Sequence, residues 1–174
     1  MSMIVNRRDI DFYLYEMLDL EGLLKNDRYQ EHDRDTVTAI LDLAQQIAEE
    51  AFLPCAAELD EHEPVFESGR AVTPDSLKAC LKTFVEAGLP AATFDAALGG
   101  MQLPMLVANF MQGIFQAANG SAVGYIFLTT SNAHMLEACG SDALRARYLP
   151  PLVEGRWFGT MCLSEPHAGS SLSD

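Results

Sequence analysis

The sequence predicts an all-α protein, a helical bundle that ends in one β-strand. Two observations carry this prediction. Apolar residues recur at helical spacing along most of the chain, and only residues 156–163 combine bulky, β-favouring side chains with no such spacing. The chain has 174 residues, of which 49% are apolar and 21% charged. That balance is typical of a folded domain with its own core and argues against disorder.

The clearest helix is predicted over residues 37–52, where apolar side chains recur at i, i+3, i+4 and i+7. Asp33 or Asp35 is placed to accept hydrogen bonds from the first free backbone N–H groups. Pro54 follows and either ends the helix or kinks it, because proline removes a helical hydrogen bond.

Further helices are predicted over residues 9–24, 73–88, 105–118, 122–138 and 141–152. The third helix of the chain carries signals at both ends: Thr73 as cap, Pro74 at the first helical position and Gly88 as a left-handed end. The intervening segments are polar or rich in proline and glycine and are predicted as loops, over residues 25–35, 59–72 and 89–104.

Residues 156–163 are predicted as a buried strand, since Trp157, Phe158, Met161 and Leu163 are bulky and favour β-structure. A lone strand leaves its backbone N–H and C=O groups without partners. No other segment of this sequence is predicted as a strand. We therefore expect its partner strands to lie in another chain or in sequence absent from this one.

Charge and cysteine usage exclude several functional classes. The 25 acidic and 11 basic side chains give a net charge of −14, which repels phosphate backbones and anionic lipid, so no nucleic acid partner is expected. The four cysteines are scattered, without zinc spacing, and are predicted as reduced thiols of a cytoplasmic protein. No signal peptide and no membrane span are predicted.

The strongest candidate site lies at residues 161–171, which read MCLSEPHAGSS. A strand that ends in small, hydroxyl and glycine residues presents N–H and OH groups suited to the rim of a planar heterocycle or to a phosphate. The alternative is a turn capped by serines, which is the commoner structure. A hydrolase elbow is excluded, because Gly169 and Ser171 are followed by Ser173 where that motif needs glycine.

Other polar residues have more ordinary interpretations. His167 has no evident carboxylate to orient it and is predicted to be solvated. His134 is predicted as a satisfied core or interface residue, and residues 61–63 (EHE) as a solvated acidic loop. No residue is assigned as a catalytic group or a metal ligand.

Residues 161–171 resemble the flavin-binding signature of the acyl-CoA dehydrogenase family, a strand followed by Thr/Ser-Glu-Pro and Ala-Gly-Ser-Asp. Two upstream segments resemble family motifs in the same order: residues 86–100, which contain the "aGl…GG" turn, and residues 140–155, which contain "G…yLp.l..G". Residues 8–24 are similar to the helical extension of a bacterial branch that includes methylmercaptopropionyl-CoA dehydrogenases.

The resemblance implies a helical N-terminal domain, a middle β-barrel and a C-terminal helical bundle. Residues 1–32 would be the N-terminal helical extension, residues 33–155 the helical domain, and residues 156–174 the start of the β-barrel, with the rest of the barrel absent. The implied reaction is FAD-dependent α,β-dehydrogenation of an acyl-CoA, with electrons passed to an electron-transfer flavoprotein. The family's catalytic glutamate has no counterpart here, and the full-length protein is expected to be a homo-oligomer.

Site residues follow from the same resemblance. Met161, Leu163 and Ser164 stand where the family's strand contacts the flavin, and Gly169 and Ser170 where its loop meets flavin or acyl-CoA. Ser170 is therefore also expected to bind substrate. The family usually has Asp at the position of Ser171. Residues 101–135 are expected to form part of the acyl-chain wall, although their Met and Phe side chains are equally explained as core.

The 174-residue chain is thus predicted to be an inactive N-terminal part of a dehydrogenase that binds FAD weakly or not at all. The alternative is a non-catalytic helical interaction module, a truncated or degenerate member of the family. An unrelated helical ligand-binding protein would require the signature to be a coincidence.

Overall fold

The structure, a computed structural model, describes residue 2 and residues 4–172. These residues form a helical bundle with one β-hairpin, which confirms the predicted helical fold. The α-helices and strands are α1 Arg7–Asp11, α2 Leu20–Leu23, α3 Arg34–Ile47, α4 Ala56–Glu61, β1 Val65–Glu67, β2 Arg70–Val72, α5 Asp75–Glu86, α6 Met105–Ala118, α7 Gly120–Cys139 and α8 Asp142–Val153. Within the described residues, no helix combines the length and the apolar character needed to cross a membrane.

The helix predicted over residues 9–24 forms in pieces. α1 continues as a π-helical turn over Phe12–Met17, and α2 follows after a break. The break lies at Asp19, whose backbone is left-handed (φ 46°) and whose side chain accepts a hydrogen bond from the N–H of Gly22 at 3.1 Å. A left-handed residue cannot continue a right-handed helix, so the chain changes direction there.

The N-terminus of α3 resolves the choice between two caps in favour of Asp33. Its carboxylate accepts from the Thr36 N–H at 2.8 Å, and its own N–H donates to the Thr36 hydroxyl at 2.7 Å, which is a reciprocal capping box. Past α3 the chain stays helical through Pro54. It changes to π geometry over Ala48–Phe52 and to 3-10 geometry over Leu53–Cys55, which accommodates the missing proline N–H.

The prediction of a loop over residues 59–72 is wrong. α4 continues to Glu61, and β1 pairs antiparallel with β2 in a hairpin. The two residues between the strands, Ser68 and Gly69, both have positive φ (50° and 81°), as the twist of a two-residue hairpin turn requires. The sequence signal for this hairpin is the Ser-Gly pair between two short segments that contain apolar residues. The acidic residues around it favour a solvated loop instead, so the hairpin was not predicted.

The cap predicted for α5 is also wrong. Pro74 is the N-cap residue, with no side-chain hydrogen bond at this position, so Thr73 does not cap the helix. The opposite end is as predicted: Gly88 is left-handed, with φ 73°. A capping hydroxyl must lie at the N-cap position itself, and Thr73 stands one residue too early.

The core lies between α3, α5, α6 and α7. Three phenylalanine rings meet at its centre: Phe115 packs 4.8 Å from Phe52 and 5.2 Å from Phe84, measured between ring centroids. The N-terminal segment belongs to the same apolar cluster, to which it contributes Ile10, Leu14, Leu20 and Leu24. Residues 4–32 therefore share the hydrophobic core of the helices that follow them.

The strand predicted over residues 156–163 does not form. Its side chains are exposed: Trp157 by 47%, Met161 by 56% and Leu163 by 59%. Within the part of the chain that the structure describes, the hairpin is the only sheet, and neither of its strands pairs with this segment. An isolated segment cannot form a ladder of hydrogen bonds, however strongly its residues favour one.

Candidate functional site

The predicted site lies on residues 156–172, here called the terminal segment. The segment leaves α8 in a tight turn, in which the N–H groups of Arg156 and Trp157 both donate to the carbonyl of Pro151, at 2.9 and 3.0 Å. It then crosses α7, where the N–H of Gly159 donates to the hydroxyl of Thr129 at 2.9 Å. These contacts attach the start of the segment to the bundle.

Beyond Thr160 the segment is exposed. Residues 161–164 join no helix or sheet of the described structure. A tight turn follows, in which Glu165 and Ala168 exchange backbone hydrogen bonds of 2.8 and 3.3 Å. The turn separates two groups of predicted site residues, which are Met161, Leu163 and Ser164 before it, and Gly169 and Ser170 after it.

The chemistry of this stretch fits a flavin. Met161 and Leu163 present exposed apolar side chains, and Ser164, the next residue along the chain, is also exposed. A planar heterocycle needs an apolar surface for its face and N–H or OH donors for its rim. Gly169 adds a position with open space around it, where another group could approach the backbone closely.

The histidines contribute no acid–base pair to this site. His167 lies exposed in the Glu165–Ala168 turn. His134 is held in the bundle, as predicted for a satisfied residue: its ring stacks on Phe94 at 4.2 Å, and its Nε2 lies 2.9 Å from the Thr93 hydroxyl. Among the described residues, no group of three or more His, Cys, Asp or Glu side chains could hold a metal ion.

A cavity of about 60 Å³ lies between α5, α6 and α7. Its polar lining residues come from the start of the 89–104 loop and from the two long helices: Thr93, Asn109, Gln112 and Thr130. The rest of the lining is mainly apolar and includes Phe84, Leu89, Met111, Phe115, Val123 and Ile126. Most of this lining falls within residues 101–135, where part of an acyl-chain wall was expected.

The cysteines divide into two chemical classes. Cys55 and Cys80 are buried, whereas Cys139 and Cys162 are exposed. Burial, reinforced by the neighbouring Cys55, raises the pKa of the Cys80 thiol to about 12. Because the thiolate is the reactive form, the Cys80 thiol is inert at neutral pH, and Cys162 is the accessible thiol of the terminal segment.

Sequence reasoning missed Thr129 and Asn132, the two α7 residues that hold the terminal segment. Thr129 accepts from Gly159, and the Asn132 side-chain amide donates to the carbonyl of Thr160 at 3.4 Å. The available signal was the polar run at residues 129–132 (TTSN) within an otherwise apolar helix. Its target could not be read from the sequence, since the contacts span about 30 residues of chain.

The fold is a helical domain that is followed by an exposed terminal segment. The family model for the N-terminal domain of acyl-CoA dehydrogenases matches residues 34–156. The chain belongs to the acyl-CoA dehydrogenase family. The match begins next to the Asp33 cap of α3 and ends where the terminal segment begins.

Curated relatives extend the similarity over nearly the whole chain. They include a 3-methylmercaptopropionyl-CoA dehydrogenase of Ruegeria pomeroyi, 34% identical over 166 residues, and a butyryl-CoA dehydrogenase of Syntrophomonas wolfei, 31% identical over 169 residues. Each match covers 95% of this chain and 28% of the relative. A broad-specificity linear acyl-CoA dehydrogenase of Mycobacterium tuberculosis is 30% identical over 169 residues, which cover 96% of this chain and 27% of the relative.

The fractions of each chain that the matches cover have two consequences. The chain spans somewhat more than a quarter of the length of the curated relatives it matches. Because 95% of the chain is included, the matches also extend over most of residues 1–32, before the family model begins. The sequence similarity to these relatives therefore includes most of the N-terminal residues.

Proposed function

We propose that this chain is the N-terminal part of a flavin-dependent acyl-CoA dehydrogenase. The observation that carries the proposal is the terminal segment: a family helical domain leads directly into an exposed stretch whose apolar side chains and hydroxyls suit a flavin. The reaction is α,β-dehydrogenation of an acyl-CoA thioester, with electrons passed on to an electron-transfer flavoprotein. When bound, oxidised FAD accepts the hydride.

The predicted site residues have different proposed roles. Met161 and Leu163 pack on the flavin ring, and Ser164 hydrogen-bonds its rim. Gly169 and Ser170 come after the Glu165–Ala168 turn and meet the flavin or the acyl-CoA, with Ser170 also binding substrate. The exposure of all five residues supports these roles, because nothing in the described bundle occupies their side chains.

The remaining parts of the site belong to further polypeptide. We assign residues 1–32 to an N-terminal extension, residues 33–155 to the helical domain and residues 156–174 to the start of the β-domain. The catalytic glutamate and most flavin contacts lie outside these residues, so the 174-residue chain by itself is inactive and binds FAD weakly or not at all. The cavity between α5, α6 and α7 forms part of the acyl-chain wall.

The assembled enzyme is proposed to be a cytoplasmic homo-oligomer. Large apolar side chains are exposed on α7 and on the terminal segment, among them Phe127, Met135 and Phe158. Exposed apolar surface of this kind marks a face that other domains or subunits cover.

The proposal is tested by reading the gene beyond codon 174 and expressing the whole reading frame. We expect barrel strands and a glutamate-bearing helical bundle, a yellow protein, and dye-linked oxidation of butyryl-CoA. The 174-residue chain purified in parallel should be colourless and inactive. A reading frame that ends after Asp174 would contradict the proposal and support a helical interaction module.

The substrate role of Ser170 is tested in the same whole protein. Ser170→Ala should raise KM for butyryl-CoA by about tenfold, as expected for the loss of one hydrogen bond to a thioester or its nucleotide. Ser121→Ala, an exposed serine at the start of α7, is the matched control and should leave KM unchanged. Equal KM values for the two variants would remove Ser170 from the substrate site.

A further inference from the structure

We infer that α7 sets the register of the terminal segment through three side chains, Tyr125, Thr129 and Asn132, here called the α7 anchors. They stand at i, i+4 and i+7 on the helix, so they share one face. They contact three consecutive residues of the segment, Phe158, Gly159 and Thr160. The inference rests on the proposed function, since it assigns these anchors to positioning the flavin-contacting residues.

Thr129 is the central anchor, and its hydroxyl both donates and accepts a hydrogen bond. The side chain is only 5% exposed. Its proton is donated to the carbonyl of Tyr125 at 2.6 Å, which leaves a lone pair to accept the N–H of Gly159 at 2.9 Å. A buried donor or acceptor that loses its partner is costly, so this pairing selects Gly159 and no neighbouring residue.

The other two anchors flank this hydrogen bond. The Tyr125 ring meets the Phe158 ring edge to face, with centroids 6.4 Å apart and planes at 84°. The Asn132 amide donates to the carbonyl of Thr160 at 3.4 Å. The three contacts therefore occur in the same order along the helix and along the segment. A ring-to-ring contact comes first, then the hydroxyl that accepts an N–H, and then the amide that donates to a carbonyl.

Gly159 is a glycine because the segment lies directly against α7. A Cβ at this position would come within 2.9 Å of the Asn132 Cβ and 3.2 Å of the Leu128 carbonyl oxygen. The requirement here is close approach of two backbones, which no other residue type satisfies. A shift of the segment by one residue would bring Phe158 or Thr160 into this space.

Register matters because side chains alternate along a strand, which residues 156–163 would form with the rest of the proposed β-domain. Gly159, Met161 and Leu163 lie at i, i+2 and i+4, so in a strand they share one face, and Ser164 lies on the other. A one-residue slip would exchange the two faces. By holding Gly159, Thr129 acts as a positioning residue for the side chains proposed to contact the flavin.

The test uses Thr129→Val, which keeps the size and branching of the side chain but removes the hydroxyl. In the 174-residue chain, amide hydrogen exchange at Gly159 should become about tenfold faster, as expected for one lost hydrogen bond, while exchange in α3 and α6 stays unchanged. Thr129→Ser, which keeps the hydroxyl, should restore the slow exchange. Thr83→Val is the matched control: Thr83 also donates to its own helix, at 3.2 Å to Ala79, but is exposed on α5.

Two results would overturn the inference. One is unchanged exchange at Gly159 in Thr129→Val, and the other is an equal acceleration throughout α3 and α6, which would indicate lost stability rather than lost register.

In the whole protein, Thr129→Val should weaken FAD binding by about tenfold and Thr129→Ser should not. Faster exchange with unchanged FAD affinity would remove the positioning role, whereas absence of FAD from every variant, the unmodified protein included, would count against the proposed function instead.

Discussion

Asn119 is a buried residue that caps one helix and joins it to another. The side chain is 4% exposed and lies between α6 and α7. Its carbonyl oxygen accepts the Ala122 N–H at 3.1 Å and so caps α7. Its amide donates to the carbonyl of Phe52 at 3.1 Å, across 67 residues of chain. One amide group thereby ties the start of α7 to the irregular helix end before Pro54.

Replacing this residue should be costly. Asn119→Ala removes the cap and leaves the Phe52 carbonyl without this donor, and we expect the free energy of unfolding to fall by about 2 kcal/mol. Ser141→Ala is the control, because Ser141 caps α8 through an exposed hydrogen bond of 3.4 Å, and it should lose only about 0.5 kcal/mol. Urea unfolding followed by circular dichroism measures both, and equal losses would contradict the coupling between helices.

At the scale of elements, the 89–104 loop is built by close backbone approach and is held by the connector between α2 and α3, residues 24–33. The N–H of Gln102 donates to the carbonyl of Phe94 at 3.0 Å. From the connector, Arg28 pairs with Asp95 at 2.6 Å, and the His32 ring donates to the carbonyl of Met101 at 2.7 Å. The loop therefore has a defined shape, although its regular structure is limited to two 3-10 turns, Leu89–Ala91 and Ala96–Leu98.

Gly100 makes that shape possible. A Cβ at Gly100 would lie 1.9 Å from the carbonyl oxygen of Phe94, so Gly100→Ala should force the loop apart and lower stability by about 2 kcal/mol. Gly113→Ala is the matched control, since Gly113 lies on an exposed position of α6 with open space around it. It should raise stability by about 0.5 kcal/mol through helix propensity. Thermal unfolding measures the two shifts, and a shift of the same sign in both variants would disprove this account.

At the scale of the whole molecule, one core joins the N-terminal helices to the bundle. Leu14 and Leu20 are completely buried in the apolar cluster that also contains Val37 and Phe115. The ion pairs across this boundary are exposed, such as Arg7–Asp42 at 2.7 Å and Arg34–Glu21 at 3.3 Å. Exposed pairs contribute little, so apolar burial is what holds residues 1–32 in place.

Removing this segment should therefore destabilise the rest. Deletion of residues 1–24 uncovers the core partners of the buried leucines, each worth about 2 kcal/mol, and should lower the unfolding midpoint and increase binding of an apolar dye. Deletion of residues 161–174 is the control, because its described residues are exposed, and it should leave the midpoint nearly unchanged. An unchanged midpoint in the first deletion would mean that residues 1–24 form a separate unit.

The sequence predicted local features well. The α3 and α7 helices, the left-handed Gly88 and the satisfied, half-buried side chain of His134 all follow from apolar spacing and from the preferences of single residues. The β1–β2 hairpin was missed because its strands are three residues long and exposed on both faces, so they carry no alternation. The site residues were predicted from a motif, which names positions without giving their surroundings.

By itself the sequence determined the helical class, most helix positions and the segment that carries the candidate site. These features depend on the spacing of apolar residues and on short motifs, which involve only residues close together in the chain. Only the tertiary structure decided that residues 4–32 share the core, that residues 156–163 form no strand, and that Thr129 and Asn132 hold Gly159 and Thr160. Each of these depends on contacts between residues far apart in the chain. Such contacts exist only once the helices have packed against one another.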